Sequence, residues 1–281
     1  MRKLRSRIQN FIGSLRCLIT IKPKSQKEKI EELLNEKEFT LIILDACRYD
    51  YFKDEYEDFL SGELERVWSV GRDTFEYAKY IWPVYHDVTY VSGATAINSV
   101  VDESFLRGKL GKLYDGYVPR RHFREIIDVW DHGWDHSLGT VPPGEVTEAA
   151  VNYVDRERLV VHYFQPHAPY IGDHKLIGFI GEDHSGARSL ELAQEGVEID
   201  PPDKKIWAAL KEGIIPREEL RRAYRSNLRL VLGEVERLIG QLDGKIVVTS
   251  DHGELLGEDG LYAHSRVNHP KLMEVPWLVL S

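Results

Sequence analysis

Three short polar clusters in this 281-residue chain carry side chains suited to holding a divalent cation. Asp45-Ala46-Cys47-Arg48-Tyr49-Asp50 follows the apolar run 40–45. Gln165-Pro166-His167-Ala168-Pro169-Tyr170 follows the run 159–164. Asp251-His252-Gly253-Glu254 follows the run 245–250, with His264 soon after. Two aspartates with one or two histidines suit Zn2+ or Mn2+, and a set richer in oxygen favours Mg2+ or Ca2+. A hydroxyl completing such a set becomes an activated nucleophile. Each residue alone also has a plainer reading. Asp45 could cap a helix, Asp251-His252 could form a capped turn, and His167 could be a surface-loop histidine. Their joint occurrence at three strand ends favours one shared site.

The elements that must position these residues are legible in the hydropathy pattern. Residues 40–45 (TLIILD) form a continuous apolar run, as in a buried parallel strand. Similar runs recur at 88–92, 126–130, 159–164, 245–250 and 275–280. Helical patterns intervene, at 27–38 and most clearly at 217–240, where Leu228, Val231, Leu232, Val235, Leu238 and Ile239 keep a 3.6-residue period. Alternating strands and helices predict an α/β fold, a mostly parallel sheet with helices on both faces. In such sheets ligands bind beyond the C-terminal strand ends, where the three clusters fall. Residues 172–216, rich in Gly and Pro, read as an insertion beside the site.

Charge divides the chain. Residues 1–27 hold eight basic side chains and no acid, leaving 29 of the 37 basic residues against all 46 acids in the remainder, a net −17. An acidic body with a basic head is not the footprint of a nucleic-acid binder. Within residues 1–26, Leu4, Ile8, Phe11, Ile12, Leu15 and Leu18 are spaced for a basic amphipathic helix that packs on the body, on a second subunit of a homo-oligomer, or on an anionic membrane surface. Residues 27–281 are expected to form the catalytic domain. Two cysteines are too few for a disulfide framework, and no apolar run approaches a membrane span, so a cytoplasmic location, peripheral at a membrane surface through residues 1–21, is the expectation.

The three clusters in order resemble sulfatase-like hydrolases of the alkaline phosphatase superfamily. TSDHGELLGEDG (249–260) is similar to that family's strand-end motif, LDACRYD (44–50) to its first motif, and QPHAPY (165–170) to its substrate-binding histidine loop. Tyr224 and Asn227, in the helix before GKIVVTSDHGE, match its layout. The resemblance spans residues 40–281. It implies an α/β/α sandwich and a metal-dependent hydrolase or transferase of phosphate or sulfate esters, acting on a small-molecule, glycan or lipid substrate. By position, Asp45, Asp251 and His252 become metal ligands, and His167 binds the transferred group or the leaving group. His264 donates to the leaving oxygen or ligates a second metal, and Arg48 neutralises developing charge. The formylglycine cysteine motif of true sulfatases is missing, because neither Cys17 nor Cys47 fits it. The nucleophile position falls on Gly71-Arg72-Asp73-Thr74, where Thr74, as nucleophile and ligand, opens a helix whose N–H groups would face the anion; Ser69 is the reserve. Thr74 as a mere helix cap is the plainer alternative. Asp131, His132, Asp135 and His136, after strand 126–130, are candidates for a second metal or for substrate contact. Two further functions stay open: a two-metal phosphatase- or phosphomutase-like enzyme, and a non-catalytic module that binds metal and anions.

Overall fold

The computed structural model describes residues 24–108, 111–176, 204–264 and 267–281. Residues 1–21, the expected amphipathic segment, and most of the expected insertion lie outside the described residues. Among the described residues, no helix is long and apolar enough to cross a membrane.

An eight-stranded sheet forms the centre. Its strands are β1 (Lys24–Ser25), β2 (Phe39–Asp45), β3 (Gly62–Trp68), β4 (His86–Ser92), β5 (Phe123–Asp128), β6 (Arg158–Pro166), β7 (Lys245–Ser250) and β10 (Glu274–Leu280). They lie in the order β1-β3-β10-β7-β2-β6-β4-β5. All neighbours are parallel except β10, which runs antiparallel to both β3 and β7. A small antiparallel pair, β8 (Leu255–Leu256) and β9 (Tyr262–Ala263), follows β7. Lys24 pairs with Val67, and Gln26 is buried against Thr249, so both residues are part of the described body.

Alternation along β2 explains the layers. Every residue of β2 is buried. Ile42 and Leu44 face one core, packed by α2 (Tyr49–Glu55), α5 (Pro143–Val151) and the long α7 (Arg217–Ile239). Leu41 and Ile43 face the other core, packed by α1 (Gln26–Leu33) and α3 (Thr74–Ile81). Successive side chains of a strand point to opposite faces, so a strand apolar at every position needs a helical layer on each side. The result is the expected α/β/α sandwich. The strand expected at 126–130 starts and ends earlier, and its last residues enter a short helix, α4 (Val129–His132). A third apolar cluster joins α6 (Lys204–Lys211) to Tyr170, Tyr224, Leu256 and the β9 residues Tyr262 and Ala263. The described end of residues 172–216 therefore braces the polar loops at the C-terminal strand ends.

Candidate active site

The C-terminal ends of the adjacent strands β2 and β7 deliver Asp45 and Asp251-His252 to one point. Ala46 stands in the left-handed backbone region (φ 59°), and the β2–β6 register shifts at the preceding step. That conformation is uncommon for a residue with a Cβ and is held by its surroundings. The Ala46 N–H donates to Asp251 Oδ1 at 3.1 Å, and the Cys47 N–H donates to Ser250 Oγ at 2.8 Å. Tyr224 of α7 donates its hydroxyl to the Ala46 carbonyl and accepts from the Arg48 N–H, so one phenol pins both flanks of the turn. Gly253 allows the chain to leave β7 closely packed, since a Cβ there would collide with the Lys271 carbonyl.

Thr74 is the first residue of α3. Its neighbour Asp73 is the N-cap and accepts from the Glu76 N–H at 2.8 Å, so Thr74 is not the cap. The Glu76 N–H is committed to Asp73. Thr74 Oγ1 lies 3.5 Å from both Asp45 Oδ2 and His252 Nε2. His252 Nε2 lies 3.4 Å from Asp251 Oδ2 and 3.6 Å from Asp45 Oδ1. A tetrahedral ion with bonds of about 2.0–2.2 Å sets its ligand atoms about 3.3–3.6 Å apart, which matches these spacings. Asp45 Oδ1 and Asp251 Oδ2 are buried without a hydrogen-bond partner. Buried carboxylate oxygens left in this way are costly unless an ion or donor satisfies them. The donor set of two carboxylates, one imidazole and one hydroxyl therefore fits a divalent cation.

Electrostatics agree. Burial, then repulsion from Asp251 and Glu254, raises the Asp45 pKa well above the carboxylate range. Burial and the neighbouring His264 push His252 down to about 3. A neutral imidazole is what a metal ligand must be. His252 Nδ1 lies 2.8 Å from the Gly253 carbonyl, which can only accept, so the proton sits on Nδ1 and the Nε2 lone pair faces the carboxylates.

A second group lies beside the first. His167, Glu254 and His264 bring one ligand atom each within 4.8 Å of one another. The ring of His264 lies 4.8 Å from that of His252 and 5.2 Å from that of His167. Glu254 is fully buried, and neither of its carboxylate oxygens has a hydrogen-bond partner. Asn227 of α7 holds the His167 loop. Its amide donates to the carbonyls of Pro166, His167 and Pro169, and its oxygen accepts from the N–H groups of Ile171 and Gly172.

Some expected residues are elsewhere. The Arg48 guanidinium is buried, bonded to the Asp50 and Glu258 carboxylates and the Glu254 carbonyl and lying over the Tyr51 ring. Ser69 donates to the Asp251 carbonyl at 2.5 Å and accepts from the Gly71 N–H, a bracing role. Among the described residues, Asp131, His132, Asp135 and His136 join neither convergent group. Asp135 instead organises its own turn through Ser137 and Leu138. Two residues escaped the sequence reading. Glu254 was visible in the DHGE run but had no assigned role. His162 sits inside β6, with Nε2 4.0 Å from Asp45 Oδ2. A lone histidine in an apolar strand carries no signal of its own, and only the β2–β6 pairing brings it to the site.

No protein-family profile matches the sequence, and no curated protein does. Solved structures match by fold. The soluble domain of lipooligosaccharide phosphoethanolamine transferase A from Neisseria meningitidis aligns with a TM-score of 0.51 at 14% identity, over 86% of this chain and 75% of that chain. The C-terminal periplasmic domain of EcEptC from Escherichia coli, in complex with Zn, aligns with a TM-score of 0.52 at 10% identity, over 87% and 72%. The integral membrane form of the Neisseria transferase aligns over 97% of this chain and 54% of its own length, at 14% identity and a TM-score of 0.48.

Proposed function

On the sulfatase-like fold of the alkaline phosphatase superfamily, which this chain adopts, we propose a divalent-metal-dependent enzyme that hydrolyses or transfers phosphate or sulfate esters through a covalent intermediate on Thr74. The convergence of Thr74 Oγ1, Asp45, Asp251 and His252 at 3.4–3.6 Å carries the reading. When bound, the cation lowers the pKa of the Thr74 hydroxyl and offsets the two carboxylates. Thr74 Oγ1 attacks the phosphorus or sulfur in line, with Asp45 Oδ2 as the proton acceptor within reach. The bond to the ester leaving oxygen breaks as the Oγ1 bond forms. His264 or His167, part-exposed at the mouth, protonates that leaving oxygen. Water or an acceptor alcohol then breaks the Thr74 ester. Arg48 takes no part, because its charge is already bound.

The test is to incubate the Zn2+- or Mn2+-loaded protein with an aryl phosphate monoester, a phosphodiester and an aryl sulfate, quench in acid, and map the adduct. Turnover with a phospho- or sulfo-group on Thr74 supports the reading. Turnover on any of them that survives Thr74→Ala unchanged overturns the nucleophile. The His167–Glu254–His264 group favours a second reading, a two-metal phosphatase-like enzyme. A stoichiometry near two ions per chain, falling to one in Glu254→Gln, would select it.

A further inference from the structure

Two buried imidazoles face the same pair of carboxylates, and their far sides differ. His252 Nδ1 meets a carbonyl, which can only accept. His162 Nδ1 meets the hydroxyl of Tyr90 at 2.9 Å, which can donate. Tyr90 is fully buried on β4, and among the described residues no other hydrogen bond to its hydroxyl is formed. The neighbouring phenols of Tyr77 and Tyr117 have no hydrogen-bond partner and do not accept its proton. Donation by the phenol to His162 Nδ1 is the arrangement that gives the Tyr90 hydroxyl an acceptor. That fixes the proton of the neutral ring on Nε2. The Nε2 atom faces Asp45 Oδ2 at 4.0 Å, longer than the 3.4–3.6 Å spacings among Thr74, Asp45, Asp251 and His252, although His162, Asp45 and Asp251 also bring one ligand atom each within 4.8 Å of one another. The Nε2 atom has no hydrogen-bond partner.

Resting on the metal-site reading above, we propose that Tyr90 and His162 are positioning residues: Tyr90 holds His162 as an Nε2–H donor toward Asp45, which makes His162 an outer support of the carboxylate and not a cation ligand. The two imidazoles thus take opposite tautomers at one site. His252 offers a lone pair to the cation, and His162 turns its Nε2–H toward the carboxylate at 4.0 Å, a longer electrostatic contact that favours the charged form. Outer supports of this kind typically contribute about 10–100-fold in metal affinity.

The test uses the full chain labelled with 15N-histidine. Long-range 1H–15N spectra of the metal-free protein should show His162 protonated on Nε2 and bare on Nδ1, and Zn2+ addition should leave that pattern intact while perturbing His252 Nε2. A His162 protonated on Nδ1, or one whose Nε2 shifts to the metal-bound form on loading, overturns the proposal. Zn2+ affinity by chelator competition gives a second reading. His162→Gln, which keeps an amide N–H donor, should bind within a few-fold of the parent, whereas His162→Leu should lose about 10–100-fold. Equal losses in both would mark His162 as a ligand and sink the idea. Failure of the parent protein to bind any divalent cation would instead refute the metal-site reading, while the metal-free tautomer would still decide the role of Tyr90.

Discussion

Thr74 illustrates how much one residue depends on its neighbours' roles. Asp73 takes the capping bond, and that leaves the Thr74 hydroxyl free to point at Asp45 and His252. Thr74→Ala should lower kcat at least about a thousandfold, the scale seen on removing a covalent nucleophile, with cation affinity reduced much less; steady-state rates with isothermal titration would check both. Arg48→Gln should leave KM and kcat near the parent values and lower Tm, since it removes the buried guanidinium that bonds Asp50 and Glu258 and touches no group of the metal-ligand set; a matched activity and melting measurement separates the two. Burial holds His252 at about 3 and His162 at about 4, both below the free value. The unfolded chain binds protons at these rings below about pH 6.5 and the folded chain does not, so these two groups oppose folding progressively as pH falls from about 6.5 toward 4. Because the raised Asp45 pKa acts in the opposite sense, the clean readout in melting experiments is the difference between proteins: across that range the metal-free His162→Gln variant should lose stability relative to pH 7 less than the parent does. At this scale the convergence of Asp45, Thr74, Asp251 and His252 was legible in the sequence, because strand ends and residue types pointed to one place. The pairing of Arg48 with Asp50 and Glu258 was not legible, because a positive charge beside a motif reads the same whether it faces a substrate or a carboxylate of the same chain.

The elements show a different balance. The apolar runs of β2, β6, β7 and β10 declared themselves because helices cover both faces of those strands. β3 did not. Its GELERVW sequence places Glu63 and Glu65 among its apolar residues, and its burial is partial. Its neighbours β10 and the two-residue β1 leave it close to the sheet edge. The antiparallel setting of β10 was equally hidden, since strand direction is set by the connections and not by side-chain type. α7 is the element that organises the site, through Tyr224 and Asn227. Tyr224→Phe removes the partner of both the Ala46 carbonyl and the Arg48 N–H, two buried groups. It should cost about 1–3 kcal/mol and weaken cation binding by loosening the turn after Asp45; chemical denaturation alongside metal titration would show whether the two losses travel together.

At the scale of the whole molecule, three buried carboxylates (Asp45, Asp251 and Glu254) converge within an acidic body. Their mutual repulsion makes the metal-free protein the less stable form. A divalent cation at a hundred times its Kd should add about 2.7 kcal/mol, visible as a rise in Tm that EDTA reverses and that Asp251→Asn abolishes. The antiparallel course of β10 has one more outcome. Its first residues adjoin Trp68 and the turn at Lys271, near the reacting groups, while Leu280 pairs with Gly62 and the Ser281 N–H reaches the Ser61 carbonyl at the opposite pole. A spectroscopic label at Leu280 would therefore sit at the other end of the sheet from the Asp45, Asp251 and His252 group, far enough away to report on tethering or orientation without touching it.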